Sequence, residues 1–127
     1  MTKRLYRSGD NAAMLVQKNH PLQALNSFHM VARAEHLLRI TDPSDVLRLL
    51  ADPRWVDEPK FVLGGGSNIV LTGDLKALVL KVEIMGRRLL GETGKCFLVE
   101  AGAGENWHDF VEWTLGQGWP GLENLAM

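Results

Sequence analysis

The sequence predicts a mixed α/β fold of the α+β kind, and three observations carry that expectation. Apolar runs of strand length recur along the chain and stop at glycine clusters. Two places carry helix-start chemistry, Thr41-Asp42-Pro43 and Asn106. The elements then fall in the order strand, helix, strand, several strands, helix. At 127 residues the chain has room for one domain with a real core.

Residues 1–25 show no clear period and mixed charge, so they read as a poorly ordered extension with one short helix over 12–18. Asn26-Ser27-Phe28 reads as a turn into the fold. Residues Ala34 to Ile40 read as a strand, with a helix as the rival because Leu and Ala favour one. Asp42 then caps a helix, Pro43 suits its first position, and Asp45 suits the positive end of its dipole. Val46, Leu47, Leu49 and Leu50 supply its apolar face, and Asp52-Pro53 ends it.

Phe61-Val62-Leu63 reads as a short strand that stops at Gly64-Gly65-Gly66. Ile69-Val70-Leu71 favours a further strand, and Thr72-Gly73-Asp74 a turn. Leu78 to Val82 is the next strand, interrupted by Gly86 and Arg87-Arg88. Leu89-Leu90 starts another, with Gly91 to Gly94 as a hairpin-like connection and Cys96 to Ala101 as the last strand. Gly102-Ala103-Gly104 turns into a helix capped by Asn106, with Asp109 three residues on. Trp107, Phe110, Val111 and Leu115 form its apolar face, and Gly116 and Gly118 end it. The segment from Trp119 to Met127 is apolar and turn-rich with no closing element, which predicts a piece of a longer chain.

Composition excludes several classes. Hydrophobic residues at 46% and charged residues at 23% argue against disorder. Fourteen Lys+Arg against fifteen Asp+Glu leave a net charge of -1, so phosphate-driven nucleic-acid binding is disfavoured. One cysteine, Cys96, excludes an internal disulfide framework. The stretch from Phe61 to Gly73 is free of charge but holds four glycines and is too short to span a membrane. A cytoplasmic protein is expected.

The sharpest chemical feature is Leu63-Gly64-Gly65-Gly66-Ser67-Asn68. Glycines let the backbone approach a ligand, consecutive N–H groups converge on an anion, and Ser67 and Asn68 add donors. Phosphate or pyrophosphate is the natural guest, although a generic loop of this type is equally a tight turn. No Gly-Lys-Ser/Thr follows, so it is no P-loop, and Ile69 stands where a Rossmann fingerprint has glycine. Gly102-Ala103-Gly104-Glu105-Asn106-Trp107 is a second anion candidate at a helix start. Glu105 would compete there, and a structural turn explains it better. His20, His29, His36 and His108 show no metal spacing. Cys96 reads as a small core residue, and the four tryptophans as packing before a ring-binding pocket. Arg87-Arg88 beside Lys81 could meet a phosphate, but exposed strand-end charge is the commoner reading.

Four segments occur in order and at fitting distances: Asn26 to Phe28, Phe61 to Leu71, Val99 to Trp107, and Gly118 to Ala126. Together they closely resemble the start of the UDP-N-acetylenolpyruvoylglucosamine reductases, flavoenzymes of peptidoglycan precursor synthesis. The resemblance covers residues 19–127 and leaves 1–18 as an N-terminal extension. It implies the first part of a two-subdomain FAD-binding module of the vanillyl-alcohol-oxidase/PCMH type, with the substrate-binding domain absent. It implies FAD as cofactor and NADPH as reductant. The family's reaction converts the enolpyruvyl ether of UDP-N-acetylglucosamine to UDP-N-acetylmuramate. Gly64, Gly65, Gly66, Ser67 and Asn68 would turn around the FAD pyrophosphate, and Leu125, Ala126 and Met127 would approach the flavin. No position matches the family's catalytic serine, glutamate or substrate-polarising arginine, so an inactive fragment is expected. The alternative is a stand-alone, non-catalytic module that holds a nucleotide phosphate.

Overall fold

The computed structural model describes residues 14–125. A four-stranded sheet is built from β1 (Gln17–Pro21), β2 (Arg33–Ile40), β3 (Lys60–Leu63) and β4 (Leu75–Val82), in the order β1-β2-β4-β3. β1 is antiparallel to β2, while β4 lies parallel to both β2 and β3. Helix α1 (Pro43–Ala51) links β2 to β3. A separate antiparallel ribbon of β5 (Arg87–Thr93) and β6 (Cys96–Ala101) follows, then helix α2 (Trp107–Gly116). The architecture is the mixed α+β arrangement the sequence predicts.

Period-2 alternation in β2 and β4 gives the sheet two buried faces. Leu37 and Val79 point to one face, with Leu22, Ala32, Ala34, Leu63 and Leu71. Leu38, Leu78 and Leu80 point to the other, with Ile40 and Leu49 of α1. Each fully buried leucine contributes about 1.5–3 kcal/mol of transfer free energy. A sheet buried on both faces reads as a continuous apolar run, and Leu78-Val79-Leu80 is one.

Four local expectations are corrected. Residues 17 and 18 begin β1, so the described part of the 12–18 segment is extended; Ala12 and Ala13 lie outside the described residues. β1 thus crosses the boundary expected between residues 18 and 19. Ile69 to Leu71 is not a strand. β3 and β4 are parallel neighbours, so the chain between them must cross over the sheet instead of pairing. Leu71 buries in the face it crosses, with Ile69 beside it. The β5–β6 turn is tighter than expected, at Gly94-Lys95, with Gly94 at φ +60. Gly91 instead lies within β5, where the register slips between Leu89 and Gly91, and Arg87-Arg88 begins that strand. An in-strand glycine commonly marks such a bulge.

The helices start where their caps predict. Asp42 Oδ1 accepts from Ser44 N–H at 2.8 Å, and Asp45 Oδ2 accepts from Asp42 N–H at 3.1 Å, closing a capping box. Asn106 Oδ1 accepts from Asp109 N–H at 3.0 Å. Their faces are narrower than predicted. In α1 only Leu49 is buried, with Leu47 at 59% and Leu50 at 54% exposed. In α2 Thr114 is buried, satisfied by Val111 carbonyl at 2.8 Å, while Leu115 is exposed.

Candidate functional site

The loop from Gly64 to Asn68 leaves the carboxyl end of β3, at the end of the parallel strands where open α/β sheets place ligands. Its three glycines are not equivalent. Gly66 is buried at φ +71, and a Cβ there would lie 2.0 Å from Leu25 carbonyl oxygen. Only glycine fits that contact. Gly64 and Gly65 are exposed, and a Cβ on either would meet nothing within 4 Å among the described residues. The folded chain itself therefore gives no steric reason for glycine at those two positions.

The segment that backs Gly66 is set by Asn26, which is 3% exposed. Its Nδ2 donates to the carbonyls of Leu22 at 2.8 Å and Met30 at 3.2 Å. Its Oδ1 accepts from Met30 N–H at 2.9 Å. The 22–30 loop is thereby closed around one buried amide with its main donors and acceptor satisfied. The next residue, Ser27, donates its N–H to Gly66 carbonyl at 2.9 Å. On the other side, Lys81 Nζ donates to Gly64 carbonyl. The carbonyls at both ends of the glycine run are thus held.

The donors are not. Among the described residues, no backbone N–H from Gly65 to Asn68 has an acceptor, and the Ser67 and Asn68 side chains make no hydrogen bond. Both residues are exposed. Free amides, one αL glycine and two exposed polar side chains make a set of donors that suits an anion.

The second glycine-rich turn differs in each respect. A Cβ at Gly102 would lie 2.2 Å from Ile84 oxygen, and one at Gly104 would lie 2.6 Å from Glu83 backbone. These glycines let residues 102–104 cross the 83–86 strand exit. Their N–H groups are used, Gly102 on Gly86 carbonyl and Gly104 on Ile84 carbonyl, each at 2.8 Å. Glu105 accepts from Gly86 N–H at 2.8 Å and from Arg87 Nε at 2.7 Å. The Gly86 amide first, then the Arg87 guanidinium, hold its carboxyl below the usual glutamate range. This turn is a structural joint.

Other sequence candidates resolve into packing. Trp107, Phe110, Trp113, Trp119 and Phe97 form a run of ring contacts between 5.3 and 5.8 Å, tying α2 to β6 and the segment after it. Trp55 packs edge-on against His36 at 4.9 Å. Cys96 is exposed and not in the core, because it opens β6 at the tip of the ribbon. Arg88 pairs with Glu100 at 2.7 Å. Leu125 lies at the end of the described residues, its carbonyl accepting from Trp107 Nε1 at 2.7 Å; Ala126 and Met127 lie outside them. Among the described residues no group of three metal-ligating side chains forms, and no helix is long and apolar enough to cross a membrane. Asn26 and Lys81 are the contributors that sequence reasoning underrated. Asn26 was legible only as a turn residue, and Lys81 only as a neighbour of the arginine pair.

A family model described as "FAD binding domain" matches residues 34–127, which include both glycine-rich turns and the whole parallel part of the sheet. The chain belongs to the FAD binding domain family. FAD is the cofactor of this family, and the mixed α+β fold agrees with it. The chain is similar to the UDP-N-acetylenolpyruvoylglucosamine reductase of Azoarcus sp. (strain BH72). That match is 60% identical over 110 residues, 84% of this chain and 32% of the relative. The protein of the same name from Burkholderia orbicola (strain MC0-3) is 51% identical over 118 residues, 93% of this chain and 34% of the relative. That from Dechloromonas aromatica (strain RCB) is 49% identical over 109 residues, 86% and 31%. The resemblance read from the four sequence segments is therefore to the same reductases. The chain spans about a third of their length.

Proposed function

We propose that the chain is the FAD-binding portion of a cytoplasmic UDP-N-acetylenolpyruvoylglucosamine reductase of peptidoglycan synthesis. In this reading NADPH supplies the electrons, and the enolpyruvyl ether of the UDP-sugar is reduced to UDP-N-acetylmuramate. The chain from β1 onward forms the first part of the cofactor domain, and the residues before Gln17 precede it. FAD supplies the hydride-transfer chemistry when bound. The 127 residues contribute binding and orientation. Gly64 and Gly65 give the pyrophosphate close backbone approach, Gly66 fixes the turn, and Ser67 and Asn68 donate to phosphate oxygens. The substrate site and the proton donor lie in the remaining two-thirds of the family-length protein.

The observation that carries this reading is the contrast within the glycine run. Gly66 is required by Leu25, whereas Gly64 and Gly65 face open space beside unused N–H donors. Glycine where none of the described residues requires it, next to free donors, suits an anionic ligand. The test is NADPH oxidation in the presence of FAD and the enolpyruvyl UDP-sugar. The 127-residue chain is expected to show no turnover, and a family-length protein beginning with this segment to show it. Turnover by the short chain would contradict the division of labour. Absence of turnover by the long protein, when folded and flavin-loaded, would contradict the reductase assignment.

A further inference from the structure

Lys81 stands apart from the other cations at this end of the sheet. Arg39 is matched by Glu83, Arg87 by Glu105 and Arg88 by Glu100. Lys81 meets only the neutral carbonyl of Gly64, and among the described residues no carboxylate pairs with it. Its positive charge is therefore uncompensated. The register fixes where that charge sits. Lys81 lies opposite Leu63 on β3 and opposite Arg39 on β2, beside the last strand residue before the glycine run. By alternation it shares the face of Val79, over which residues 69–71 cross.

A lysine ammonium has three donors. One holds Gly64 carbonyl, which leaves two for phosphate oxygens approaching the free amides of residues 65–68. Resting on the phosphate reading of that loop, we propose that Lys81 is the cation of the site. It does two things: it fixes the carbonyl at the start of the glycine run, and it places a full charge beside the pyrophosphate. A point charge reached through a flexible stem suits this task, because the carbonyl contact need not break when the anion arrives.

The test compares FAD with riboflavin, which lacks the phosphates, by flavin fluorescence titration of the chain and its Lys81→Gln and Lys81→Arg variants. Circular dichroism on each sample checks folding, and Lys81→Met, which keeps the aliphatic stem, replaces Lys81→Gln if that variant does not fold. Lys81→Gln is expected to weaken FAD binding about tenfold and to flatten its dependence on salt. Riboflavin titrations should superpose, and Lys81→Arg should recover most of the FAD affinity. Equal FAD affinity in Lys81→Gln and the parent, or equal loss for FAD and riboflavin, would overturn the role of Lys81 alone. A folded parent chain that binds FAD no better than riboflavin would overturn the loop reading, and this inference with it.

Discussion

Gly64, Gly65 and Gly66 are adjacent and identical in sequence, yet they answer to different neighbours. Gly66→Ala puts a Cβ into Leu25 carbonyl and forces an L-residue to φ +71. It should destabilise the fold by about 2 kcal/mol or more, read as a lowered urea midpoint. A Cβ at Gly65 would meet nothing within 4 Å among the described residues, which leaves room for Gly65→Val. That variant should leave the midpoint nearly unchanged while weakening FAD binding about tenfold. Asn26→Leu would leave the half-buried Met30 N–H and carbonyl without the Asn26 amide, while Leu22 carbonyl keeps only Leu25 N–H. A loss of about 2–3 kcal/mol is expected in the same unfolding measurement. Sequence pattern found the glycine run because close backbone approach needs glycine. It did not separate the packing glycine from the two open ones, because Leu25 comes from a distant segment. The buried amide of Asn26 and the charge of Lys81 were hidden for the same reason: both act through tertiary neighbours.

The elements themselves were largely legible where local chemistry decides them. The α1 capping box is written in Asp42 and Asp45, and Asp42→Ala should cost about 1 kcal/mol of stability in denaturant titration. β2, β3, β4 and β6 follow from apolar runs with clear ends. What failed was the connection chemistry. Ile69 to Leu71 has strand-like residues, but parallel pairing of β3 and β4 makes it a crossover. Gly91 looks like a turn glycine, but it marks a slip of register. Val46, Leu47 and Leu50 look like a core face, but only Leu49 finds a partner. The joint at Glu105 also behaves as an element. Its folded pKa lies below the ordinary value because Gly86 N–H and Arg87 favour the carboxylate. That contribution is complete above the ordinary glutamate range and is lost as pH falls through the lowered folded value. Stability should therefore fall in acid, and Glu105→Gln should reduce the acid-dependent part of the fall.

At the scale of the molecule, the parallel sheet and the β5–β6 ribbon are two units joined by the 83–87 and 102–105 crossing. The Gly64–Asn68 loop sits at the carboxyl end of the first, with its carbonyls pinned and its amides free. Membership in the FAD binding domain family rests on residues 34–127, and similar reductases are about three times as long. The general class was readable from element order alone. The family was readable only from four segments taken together, because each one alone is an ordinary turn. The central claim is that this loop holds the phosphates of FAD. Its most direct test is FAD titration of the chain beside Gly65→Val, with circular dichroism on both samples. Saturable quenching of flavin fluorescence by the parent, weakened in a fully folded Gly65→Val, is the predicted result. Equal binding by both folded proteins would contradict it.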